Sequence, residues 1–176
     1  MRKLFAVLAL AVVCALPMLA QNSDKAEIFG GYQYMRFNPG DGFSGLNFNG
    51  WNASATFNVK SWIGATADFS GGYNSTAGVD SRLTNFLFGP TVSYRKNDHF
   101  TPFAHALFGF AHGSGTVNNF AGTSDNSFAM ALGGGVDASI TRHLSLRLVQ
   151  ADWLRTDFSS TSQNNARIST GIVYRF

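Results

Sequence analysis

The chain has 176 residues, of which 45% are hydrophobic and only 13% charged, with 17 Phe and 19 Gly. That mixture is foreign to a small soluble domain. The formal charge of +3 includes Arg2 and Lys3; without them 11 basic side chains face 10 acidic ones, which removes any electrostatic case for nucleic acid.

Arg2 and Lys3 precede an apolar run from Leu4 to Leu16, followed by Pro17, Met18, Leu19 and Ala20. A charged start, a short apolar core and a small residue before the cut describe a secretory signal peptide. Residues 1–20 are therefore expected to be a leader cleaved after Ala20. The run falls short of the roughly 20 apolar residues that a spanning helix needs. Cys14, the single cysteine, lies inside it, and Ala11-Val12-Val13 lacks the small residue that lipoprotein processing wants before a cysteine. The exported chain is expected to carry neither a lipid anchor nor a disulfide, so its stability must come from elsewhere.

Residues 21–176 are read as one domain, because no linker or low-complexity tract divides them. Strands of about ten residues alternate with turn chemistry, predicted over 27 to 37, 46 to 58, 62 to 73, 82 to 95, 100 to 111, 127 to 140, 144 to 154 and 166 to 176. Short connections are expected at Val59 to Ser61, Lys96 to His99 and Thr141 to His143. Longer ones, rich in Gly, Ser, Asn, Thr and Asp, are expected at 38 to 45, 74 to 81, 112 to 126 and 155 to 165. Short turns on one side and long loops on the other fit a transmembrane barrel with both termini in the periplasm.

Period two assigns the faces. Ala53, Ala55 and Phe57, then Ile63, Ala65, Ala67 and Phe69, point outward, and Phe86, Phe88, Val92 and Tyr94 continue the belt. Ala104, Ala106, Phe108 and Phe110 follow, then Met130, Leu132, Val136 and Ile140, then Leu144, Leu146 and Leu148. On the last strand Ile168, Ile172, Tyr174 and Phe176 face out. Inward positions are Gln33, Asn52, Ser54, Thr66, Asp68, Ser70, Asn85, Thr91, His105, Asp137, Arg147, Arg167 and Arg175. Gln150 and Asp152 land outward in this register, which places them at the outer rim or calls for a bulge. Apolar side chains outside and charge inside predict an all-β, eight-stranded antiparallel up-and-down barrel in the outer membrane.

Glu27-Ile28-Phe29-Gly30-Gly31-Tyr32-Gln33-Tyr34, Phe86-Leu87-Phe88-Gly89-Pro90 and Pro102-Phe103-Ala104-His105-Ala106-Leu107-Phe108-Gly109 resemble small outer-membrane barrels of the OmpA-like and OmpX-like family. Gly133-Gly134-Gly135-Val136-Asp137 and the terminal Tyr174-Arg175-Phe176 extend the resemblance over all of 21–176. It implies escort by periplasmic chaperones and insertion by the barrel-assembly machinery. Ile172, Tyr174 and Phe176 would form the assembly signal, Phe176 being either the recognised residue or an interfacial anchor.

An eight-stranded interior is just wide enough for its own side chains, so a plugged polar core is expected rather than an open pore. If the sixth and seventh strands turn about Arg142, Asp137 faces Arg147, and His105 and Asp68 join them at similar levels. Such a network could gate small ions, or simply satisfy buried charge and fix register. His112-Gly113-Ser114 resembles the His and Ser pair of outer-membrane lipid A deacylases, with Asp125 as the nearest acid; ordinary loop residues are the plainer reading. His99, His105, His112 and His143 are too scattered for a zinc site, and no metal or cofactor is expected.

The leading expectation is thus a non-catalytic outer-membrane protein, a monomer, with a structural, envelope-integrity or surface-interaction role. Its partners would be outer-membrane lipids and lipopolysaccharide, whose phosphates Arg36, Arg82 and Arg155 could meet; no nucleic acid is expected. The alternatives are a small ion or solute channel gated by the internal salt bridges, a rim lipid hydrolase using His112 and Ser114, and a soluble lipocalin-like barrel. The inward charges oppose the last.

Overall fold

Eight antiparallel strands close on themselves, in the order read from the alternation. The computed structural model describes residues 25–37, 45–76, 79–97, 99–117, 120–158 and 161–176; the expected leader and its cut after Ala20 lie outside the described residues. In chain order the strands are β1 (Ala26–Phe37), β2 (Leu46–Lys60), β3 (Ile63–Thr76), β4 (Val79–Ser93), β5 (Phe100–Val117), β6 (Phe120–Ser139), β7 (Leu144–Phe158) and β8 (Thr161–Arg175). Each pairs with its neighbours in sequence, and β1 also pairs with β8, which closes the barrel. Closure answers the hydrocarbon core, where an unpaired backbone N–H or C=O finds no partner. Both ends of the described chain meet at one rim, where the Phe176 N–H donates to the Ala26 carbonyl at 2.9 Å; this is the terminal end, and the opposite rim the far end.

The faces follow period two. All thirteen residues expected inside, from Gln33 to Arg175, are buried, while Phe57, Phe69, Phe86, Phe88, Phe108, Phe110 and Leu132 are exposed on the wall. Exposed aromatics gather in two girdles. Phe57, Trp62, Tyr94, Phe100 and Tyr174 lie toward the terminal end, and Trp51, Tyr73, Phe110, Phe128 and Trp153 toward the far end. Two aromatic belts flanking an apolar band are what a barrel in a bilayer presents.

At the far end the strands run further than the sequence predicts. The expected long loops at 74 to 81, 112 to 126 and 155 to 165 are mostly hairpin, and only residues 77–78, 118–119 and 159–160 separate the strands there. Beyond the bilayer both faces of a hairpin meet polar surroundings, so its residues lose the apolar alternation that marks a strand inside it. The backbone ladder nevertheless continues, pairing His112 with Asn126, Gly113 with Asp125 and Ser114 with Ser124.

Inside, the barrel has two levels. The half nearer the terminal end holds the charged residues. Toward the far end Met35, Phe48, Leu83, Leu87, Leu107, Ala129, Ala131 and Leu154 pack into a buried apolar cluster, a level that period two alone does not distinguish, because it sorts faces and not heights.

Candidate functional site

One irregularity in β7 organises the interior. Asp137 pairs with Arg147, but the next rung joins Val136 to Val149, so β7 has gained one residue, Leu148, relative to β6. This is a β-bulge, and it turns the rest of the strand over. Leu148 and Val149 are consecutive yet both exposed, at 46% and 44%, whereas Gln150 and Asp152 are buried, at 1% and 4%. The outward register expected for Gln150 and Asp152 is therefore corrected, and of the rim and the bulge it is the bulge that forms.

The inverted stretch delivers Asp152 to Arg167, its cross-strand partner on β8. Arg167 is 0% exposed, and its charge is met from two sides. Nε donates to Asp152 Oδ2 at 2.8 Å, and Nη1 reaches across the lumen to Asp68 Oδ1 on β3, also at 2.8 Å. Ser70 Oγ accepts from Nη1 at 3.1 Å, and Asn52 Nδ2 donates to Asp68 Oδ2 at 2.8 Å. A buried guanidinium tolerates a dry interior only when paired and hydrogen-bonded in this way.

His105 enters the same cluster across an intervening strand. Its Nε2 lies 2.8 Å from Asp152 Oδ1, although β6 separates β5 from β7. Gly133 of β6 pairs with both His105 and Asp152, and with no side chain of its own it leaves the gap that the two groups fill. Gly135 makes similar room nearer the terminal end, where an added Cβ would lie 3.0 Å from Phe103 Cζ.

Toward the terminal end Arg147 holds Asp137 at two points, Nε to Oδ1 at 2.8 Å and Nη2 to Oδ2 at 3.1 Å. The rings of Phe29 and Phe103 flank the guanidinium, with centroids 4.3 and 4.2 Å from its central carbon, an arrangement that lets Arg use its face as well as its edges. Nη1 donates to Gln150 Oε1 at 2.7 Å, and Gln150 Nε2 to Asp152 Oδ2 at 2.8 Å. Lower still, Arg175 lies 3.4 Å from Glu27 Oε1 and 3.8 Å from Asp137 Oδ2, and Arg95 also pairs with Glu27. The result is an unbroken sequence of acids, bases and amides from Glu27 through Arg175, Asp137, Arg147, Gln150, Asp152 and Arg167 to Asp68.

Of the site residues proposed from sequence, Asp137 and Arg147 touch directly, and His105 and Asp68 join them only through Asp152, Gln150 and Arg167. Those three connectors, with Phe29 and Phe103, are site residues that the sequence reading does not single out. The signal that could have found them is the pair of polar residues, Gln150 and Asp152, on a face otherwise built of Leu144, Leu146 and Leu148. A void of about 10 Å³ remains among Glu27, Thr66, Thr91, His105, Asp137 and Arg147, room for about one water. The network can brace the wall from within.

The other proposed groups lie apart. His112 sits on strand β5 rather than in a loop, and its Nδ1 is 2.7 Å from Asn126 Oδ1. Asp125 occupies the next position along β6, so it points to the opposite side of the sheet from His112 and Ser114. A serine, its base and an acid orienting the base are not assembled here. Ile172 and Tyr174 face outward, and the Phe176 ring meets Tyr174 edge-on with centroids 4.8 Å apart.

The family model described as outer membrane protein beta-barrel domain matches residues 5–176. The chain belongs to that family. It is accordingly an outer-membrane β-barrel protein, and its relatives in fold are small barrels of the same membrane. Neisserial surface protein A superposes with a TM-score of 0.71 at 12% identity, covering 89% of this chain and 100% of that one. Ail, the attachment invasion locus protein of Yersinia pestis, gives 0.61 at 16% identity over 87% of this chain and 100% of its own. The N-terminal barrel domain of Pseudomonas aeruginosa OprF gives 0.53 at 12% identity, again over 87% and 100%. No curated protein sequence matches. At these identities the likeness is one of fold.

Proposed function

We propose that this family member is a structural and surface-interaction component of the outer membrane, with a plugged interior and no catalysis. The observation that carries the reading is what crosses the lumen: the charged network braces six of the eight strands from within, and a buried apolar cluster lies above it. The terminal end then faces the periplasm, where Phe176, Tyr174 and Ile172 present the assembly signal to the barrel-assembly machinery. The far-end hairpins stand outside the cell, and Arg36, Arg82 and Arg155, all exposed there, meet lipopolysaccharide. The name of Ail, an attachment protein, supports the surface-interaction half of the reading.

Deleting the gene should sensitise its host to detergent and to bulky hydrophobic antibiotics, and wild-type and Ser114→Ala chains should restore resistance equally. A Ser114→Ala chain that folds but fails to restore it would favour the rim hydrolase. Unchanged sensitivity on deletion would contradict the envelope-integrity role.

A further inference from the structure

Above the apolar cluster the barrel opens into a cup at the far end. Its volume is about 450 Å³, a size common among small-molecule sites. Phe48 and Leu83, members of the buried cluster, form its floor, and Phe37 and Leu46, packed against that cluster, continue the apolar side upward. Phe37 meets Phe48 edge-on, with ring centroids 6.0 Å apart. The other side differs in chemistry: β5 and β6 line it with Gly113, Gly115 and Asp125.

Among the described residues, Asp125 carries the one charge that faces into the cup. By period two Arg36, Asp80, Arg155 and Asp157 fall on the outward face. Arg82 borders the cup but sends its guanidinium outward over the ring of Tyr73, 5.6 Å from the centroid. Asp125 Oδ1 accepts the Asn126 backbone N–H at 2.8 Å, a bond that orients the carboxylate and keeps its charge. Its cross-strand partner is Gly113, which has no side chain to cover it. An added Cβ at Gly115 would meet nothing within 4 Å, so this side of the cup is open space. The segments joining the strands at this end, residues 38–44, 77–78, 118–119 and 159–160, contain no Lys, Arg or His.

We propose that the cup is a binding site for a hydrophobic organic cation, an amine or quaternary ammonium carried on an apolar body. The body lies on Phe37, Leu46, Phe48 and Leu83, and the cationic head takes the Asp125 carboxylate as its counter-ion. A cation held beside aromatic rings gains from their faces as well. An anion of the same shape would meet Asp125 with like charge, and a neutral molecule would forgo the ion pair, so charge sets the choice among ligands of equal size. With the far end outside the cell, the ligand comes from the external medium. Binding itself requires no particular orientation of the barrel, so failure of the envelope role would leave the site standing.

Calorimetric titration of the purified full-length chain in zwitterionic nanodiscs, with folding checked by heat-modifiable gel mobility and empty nanodiscs as the blank, tests this. The probes share one ring system: naphthylmethylammonium, naphthylmethanol and naphthoate. The wild type should bind the ammonium about tenfold more tightly than the alcohol, and the carboxylate least of all. Asp125→Asn should erase that preference, weakening the ammonium about tenfold and leaving the alcohol unchanged. Gly115→Leu, whose side chain projects into open space, should fill the cup and weaken the ammonium and the alcohol together. Equal binding of all three probes, or of none, would overturn the site, and so would a cation preference that survives Asp125→Asn. Wild-type affinity in Gly115→Leu would also overturn it, by placing the ligand elsewhere on the barrel.

Discussion

Arg167→Met should cost the barrel about 3–5 kcal/mol, the penalty for breaking a buried ion pair by removing one partner. The substitution preserves most of the side-chain volume and deletes the charge. Asp152 and Asp68, which Arg167 holds from either side at 2.7 and 2.8 Å, would then both face a dry interior as uncompensated carboxylates. His105 and Gln150 would still reach Asp152, and Asn52 would still reach Asp68, so the loss should stop short of the cost of two isolated charges. Urea unfolding in detergent or in vesicles, followed by the gel shift of the folded barrel, measures it. Arg155→Met is the matched control. Arg155 pairs with Asp157 at 3.3 Å on an exposed hairpin, and its loss should stay below about 1 kcal/mol.

Gly133→Val should be the other severe substitution, destabilising by at least the ~1–3 kcal/mol typical of overpacking. A Cβ at Gly133 would overlap the Asp152 carboxylate and the Ala151 carbonyl and would stand 2.8 Å from Asp152 Cα. The carboxylate would have to leave the gap, and with it would go the bond that joins His105 to the network. Backbone on a packed strand cannot yield as a flexible side chain would. Gly30→Ala is the control, because an added Cβ there meets nothing within 4 Å; its stability should change by less than about 0.5 kcal/mol. The same unfolding assay separates the two.

The wall of this protein was legible because a barrel in lipid imposes its alternation on every strand. Asp137 and Arg147 could be matched from the position of one tight turn, since an antiparallel ladder counted outward from a turn is fixed until something interrupts it. The interruption at Leu148 is what the count missed. A bulge leaves no obligatory residue signature, but its effect was visible as polar residues falling on the lipid face, and that conflict was the trace of the element that builds the network. The far-end hairpins were missed for a different reason. Period two reports a difference between two environments, and beyond the bilayer the environments on the two faces no longer differ. The role of Gly133 was beyond sequence as well, since a glycine within a strand shows that something comes close without naming it.

Single-channel recording of the reconstituted full-length protein in planar bilayers, beside an Asp137→Ala chain whose folding is verified, tests the central claim most directly. The plugged interior proposed above predicts silence from both, because removing Asp137 unties Arg147 at one end and leaves Arg167, Asp152 and the apolar cluster in place. Discrete openings in the wild type, or openings that appear when Asp137 is replaced, would contradict that account and make the Asp137 and Arg147 pair the gate of a channel.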